Sequence, residues 1–158
     1  MRDSHIQILL WALPIAMSIH VVEEFAYPGG YIRWIKSHKL GRLKSNLYYV
    51  ALNAAAILGG TIIALKASDI VGYCIFLYSV AIVAGNATSH LVGSLQKRQY
   101  CPGSVSGAVL LLPLLVVSTW SFHSKGIVDL PLAVVCICIG FFIGFYVFST
   151  HIRRKDRI

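Results

Sequence analysis

Hydrophobic positions in this chain gather into five runs, near residues 6–25, 46–65, 70–95, 104–122 and 127–150. Between them lie short stretches of glycine, proline, lysine and arginine. A helix rises about 1.5 Å per residue, so about 20 apolar residues cross a hydrocarbon core ~30 Å thick. The pattern predicts an all-α fold: an integral membrane bundle of about five transmembrane helices, forming one domain over residues 1–158. Turn chemistry agrees with it, since Tyr27-Pro28-Gly29-Gly30 closes the first run and Cys101-Pro102-Gly103 opens the fourth. Pro14 and Pro113 fall inside runs, where a missing N–H is expected to kink the helix.

Residues Tyr31 to Lys44 break the pattern. Ile32, Ile35 and Leu43 alternate there with Arg33, Lys36, Lys39, Arg42 and Lys44, and Tyr31 and Trp34 add amphipathic rings. Two readings fit: a short interfacial segment lying on the bilayer surface, or an ordinary basic loop.

Composition supports the membrane class. The 158 residues are 57% hydrophobic and 13% charged, with a mean hydropathy of +0.72. The net charge of +8 does not signal nucleic-acid binding, because the cations sit between apolar runs rather than on one patch. Their distribution predicts topology instead. With five spans, Arg33, Lys36, Lys39, Arg42, Lys44, Lys97, Arg98, Arg153, Arg154, Lys155 and Arg157 fall on one side, 11 of the 14. The positive-inside rule makes that side cytoplasmic, with the N-terminus outside and the C-terminus inside. The first run is expected to be a span rather than a cleaved signal, since it ends in HVVEEF instead of a small-residue cleavage site.

The polar residues within the runs carry the chemistry. His20, Glu23 and Glu24 stand at i, i+3 and i+4 near the cytoplasmic end of the first span, on one helix face. Asn86 and His90, again at i and i+4, occupy the same depth in the third span, and Asn53 lies in the matching half of the second. Ser104 and Ser106 open the fourth, where their hydroxyls are expected to satisfy backbone groups at a helix start, and His151 ends the fifth. Ionisable groups within a bilayer are costly, and their gathering in one leaflet points to a site.

Two imidazoles, two carboxylates and an amide suit a divalent iron, zinc or manganese ion, with His20, Glu23, Glu24 and His90 as ligands and Asn86 and Asn53 in support. Bundles that bind two irons use Glu-x-x-His from paired helices, whereas His-x-x-Glu-Glu occurs here once. The same groups also allow metal-free chemistry, with one carboxyl kept protonated as an acid and its neighbour or His20 as a base. Cys74, Cys101, Cys136 and Cys138 contain no CxxC and read as small packing residues.

His20-Val21-Val22-Glu23-Glu24 resembles the signature of the HXXEE family, small bacterial multi-span membrane proteins. Phe25-Ala26-Tyr27-Pro28-Gly29, then Asn86 with His90, then Tyr100-Cys101-Pro102-Gly103, are similar to the family's later segments in the same order. The resemblance implies a membrane protein suspected of enzymatic activity and assigns no reaction.

The expected function is an intramembrane enzyme acting on a lipid or other apolar substrate, with a site of His20, Glu23, Glu24, His90 and Asn86 in the cytoplasmic half. The alternatives are a metal-free Glu/His isomerase or cyclase, a proton-coupled transporter, haem ligation by His20, His90 and His151, and a structural membrane protein. Gly140 and Gly144, at i and i+4, serve either a homodimer or packing within the chain.

Overall fold

The computed structural model describes residues 3–26, 30–38 and 46–149. The described residues are all-helical, with no strand. We label the helices α1 (Ser4–Ala26), α2 (Tyr31–Ser37), α3 (Asn46–Lys66), α4 (Ile70–Lys97), α5 (Ser104–Ser124) and α6 (Leu130–Ser149). All but α2 are long and apolar enough to cross a membrane. Their outward side chains include Ile8, Ile15, Leu58, Val116 and Phe142, a surface suited to lipid rather than water.

Two spans have capped starts. The Asp69 carboxylate accepts from the Gly72 amide at 2.8 Å and caps α4, and Asp129 does the same for Leu132 at the head of α6. Lys125 pairs with Asp3 at 2.5 Å, tying the turn after α5 to the head of α1. The helix continues through Pro14, where the Ser18 hydroxyl donates to the Pro14 carbonyl at 2.8 Å. Pro113 has a larger effect. With no N–H to offer, it releases the helix from regular i→i+4 bonding, and Gly107–Leu111 just before it form a π-helical stretch.

The core is a seam along α1, α4 and α5. Ile6, Leu10, Leu13 and Met17 lie on one stripe of α1 and meet Phe76, Leu77 and Val80 of α4 and Leu111 and Phe122 of α5. The α1 stripe has alternating steps of four and three residues, and those steps continue through His20 and Glu24, which are also buried. The polar cluster is thus the end of the core, built on the same helix faces.

The α4–α6 contact depends on missing side chains. A Cβ at Gly85 would overlap the Phe141 carbonyl oxygen, one at Gly140 that of Tyr78, and one at Gly144 that of Ile82. Gly140 and Gly144 therefore serve packing within the chain, the second of the two readings open from sequence.

α2 is the described helical part of the 31–44 segment. Tyr31, Trp34 and Ile35 turn inward and pack with Cys101, while Arg33 and Lys36 are more exposed. The two rings are protein core, because α2 has the loop before α5 to bury them against. His38 reinforces this by pairing its Nε2 with Gln99 Oε1 at 2.8 Å. Lys39, Arg42, Leu43 and Lys44 lie outside the described residues.

Candidate metal centre

His20 and Glu24 enter the centre from the last turns of α1, His90 and Asn86 from α4, and Gly103 and Ser106 from the head of α5. His20 and His90 are fully buried and Glu24 is 2% exposed. One ring nitrogen from each histidine and one carboxylate oxygen of Glu24 lie within 4.8 Å of one another. Tetrahedral ligands about 2.1 Å from a zinc-like ion stand ~3.4 Å apart, so small side-chain adjustments bring the three atoms onto one ion.

Each of the three is oriented by a neighbour. His20 Nδ1 and the Ser106 hydroxyl are 2.9 Å apart, and the Asn86 amide nitrogen stands 3.5 Å from His20 Nε2. The Asn53 amide donates to Glu24 Oε2 at 3.2 Å and to the Tyr49 carbonyl at 3.1 Å. His90 Nδ1 lies 3.6 Å from the Cys101 sulfur. These outer partners fix which ring nitrogen faces inward, as around most metal-binding histidines. The buried atoms without a hydrogen-bond partner among the described residues include His90 Nε2 and Asn86 Oδ1. Such orphans call for an ion, a water or a ligand, and the donor set fits a divalent metal.

The two imidazole rings meet edge-on, with centroids 5.4 Å apart and planes at 76°. Gly103 makes this approach feasible. Its φ of +92° is left-handed, and a Cβ there would come 3.0 Å from His20 Cε1 and 3.2 Å from His90 Cε1. The turn before α5 thus presses bare backbone against both rings.

Glu23 does not join this group. Its Oε1 accepts from the Tyr100 hydroxyl at 2.5 Å, the Gly103 amide at 3.1 Å and the Val105 amide at 3.0 Å, and its Oε2 from the Ser106 amide at 2.6 Å. The sequence places Glu23 among the metal ligands; the structure instead commits its carboxylate to the unpaired amides that begin α5. The geometry reduces the candidate ligands to His20, Glu24 and His90. The Ser106 hydroxyl corrects a second expectation, since it holds His20 rather than a backbone group. Asn86, Asn53 and His90 fall where expected, and His151 lies outside the described residues.

Sequence reasoning misses Tyr31 and gives Tyr100 no role. The Tyr31 ring lies 4.4 Å from that of His90, and burial holds its phenol well above the usual tyrosine range, so it stays protonated. Burial, then the Glu24 carboxylate, likewise pushes the Cys101 thiol up, which keeps it neutral and fits a packing role.

The HXXEE segment therefore meets the two later polar segments in one place: His20, Glu23 and Glu24 from the first, Asn86 and His90 from α4, Tyr100 and Gly103 from the turn before α5. No curated protein and no solved structure matches the chain. Residues 11–118 match the family described as "Protein of unknown function with HXXEE motif", and the chain belongs to that HXXEE family.

Proposed function

We propose that the protein is an intramembrane enzyme that binds one divalent iron, zinc or manganese ion through His20, Glu24 and His90 and acts on a lipid or other apolar substrate. The convergence of these three side chains, buried and within 4.8 Å, carries the reading. Two histidines and one carboxylate leave coordination positions open for water and substrate, the arrangement of catalytic rather than structural sites. Asn86, whose amide nitrogen lies 3.5 Å from His20 Nε2, would orient what binds at the centre, and Asn53 holds Glu24 in place.

A lipid substrate is supported by a groove of about 640 Å³ on the outer face between α1 and α5. Ile8, Trp11, Ile15, Val109 and Pro113 line it, and it reaches Ile19, the residue before His20. The described cations Arg33, Lys36, Lys97 and Arg98 lie toward the same end of the bundle as the centre, which supports a cytoplasmic location in a bacterial inner membrane. The other half of the core clusters Leu10, Phe76 and Phe122, and its buried polar side chain Ser118 donates to the Leu114 carbonyl, so among the described residues no ionisable group there supports a proton path across the bundle.

One observation favours a metal-free variant: the Asn86 amide approaches His20 Nε2, so the ring is also placed as a hydrogen-bonded base beside Glu24. Elemental analysis of the purified protein separates the two. The metal reading expects about one ion per chain, lost in His20→Ala and Glu24→Ala; absence of metal from the unaltered protein, with activity that survives chelation, selects the acid–base variant.

A further inference from the structure

The metal reading accounts for His90 Nε2 and for the carboxylate of Glu24, but not for the hydroxyl of Tyr31. Tyr31 is 2% exposed, its ring stands against His90 at 61°, and it stacks on Trp34 with centroids 6.2 Å apart. Its hydroxyl has no hydrogen-bond partner among the described residues, and Cys101, Glu24 and Tyr49 are the groups that bear on it electrostatically. Packing alone would be served by phenylalanine, without burying a polar atom unpaired.

The neighbours define what this hydroxyl can do. Glu24 Oε2 accepts from Asn53 and His90 Nδ1 faces the Cys101 sulfur, and among the described residues neither group is hydrogen-bonded to the phenol. A protonated phenol offers one directed donor. Asn86 Oδ1, also unpartnered, offers an acceptor on the neighbouring element.

Resting on the metal reading, we infer that Tyr31 binds the ligand, donating a hydrogen bond to a carbonyl or carboxylate oxygen held at the centre. The substrate class is then an apolar molecule with a carboxyl-derived group, an ester, amide or free acid, rather than a plain hydrocarbon. Asn86 Oδ1 receives the donor that an acid, an amide or an attacking water carries.

Acetate is a sufficient probe. The full chain in detergent is loaded with cobalt(II), whose visible bands report coordination, and acetate is titrated into the unaltered protein, Tyr31→Phe and Trp34→Phe. Tyr31→Phe keeps the ring and is expected to load cobalt equally but bind acetate about tenfold more weakly, the loss typical of one hydrogen bond to a charged acceptor. Trp34→Phe removes another buried, unpartnered polar group from the same helix and is expected to leave acetate affinity unchanged. Equal affinity in Tyr31→Phe, or the same weakening in Trp34→Phe, overturns the role of Tyr31 while leaving the metal centre standing. Failure of the unaltered protein to take up cobalt overturns the metal reading and the ligand role with it.

Discussion

His20 and Ser106 are 86 positions apart and share a 2.9 Å hydrogen bond, while the amide of the same Ser106 donates to Glu23. One serine therefore joins both halves of the HXXEE motif to the head of α5. Ser106→Ala removes the partner that orients the His20 ring and leaves the amide bond intact. The expected result is a 10- to 100-fold loss of metal affinity, in the range for outer-shell partners, with little change in melting temperature. Competition with a chromophoric chelator measures the first and a thermal melt the second.

Glu23 predicts the opposite pattern. Its carboxylate serves four donors, and hydrogen bonds to a charged group contribute about 1.5–3 kcal/mol each where buried. Since Glu23 is partly exposed, we expect Glu23→Ala to cost about 2–4 kcal/mol in total rather than the full sum. A large drop in melting temperature is the primary effect, and protein that stays folded keeps its metal stoichiometry. Full stability with abolished metal binding would move Glu23 back among the ligands.

At Gly103 a single methyl group tests the packing of the histidines. Alanine there meets both imidazoles at close range and adopts a left-handed conformation that costs about 1–2 kcal/mol. Gly103→Ala is expected to lower stability and to disturb both rings at once. Nuclear magnetic resonance of ¹⁵N-labelled histidine reads this directly, as coupled shifts in the His20 and His90 signals.

The glycines of α6 and α3 should separate cleanly. Gly144→Leu drives a side chain into the Ile82 backbone, so the loss is at least the ~1–3 kcal/mol of an overpacked core. A Cβ at Gly59 would meet nothing within 4 Å, and Gly59→Leu is expected to fall within about 0.5 kcal/mol of the parent. Denaturation in mixed micelles checks both.

Much of this is legible in the sequence. The five spans fall within a few residues of their expected bounds, because long apolar runs leave few alternatives, and Asn86 and His90 share a face because helical geometry requires it. The division of labour between Glu23 and Glu24 is harder to see, though a signal exists: the stripe Ile6, Leu10, Leu13, Met17, His20 includes Glu24 at its next step and leaves Glu23 to one side. Ser106 and Tyr100 find partners 86 and 77 positions away, which no local pattern encodes. Tyr31 escapes a sequence reading because an amphipathic seven-residue helix has the same pattern whether its apolar side meets lipid or a neighbouring loop.

X-ray absorption at the edge of the bound metal probes the centre most directly. The account predicts a first shell of nitrogen and oxygen at about 2.0–2.2 Å, with imidazole scattering from two histidines that falls to one ring in His90→Ala. A sulfur shell near about 2.3 Å, or a spectrum unchanged when His20 or His90 is removed, would contradict it.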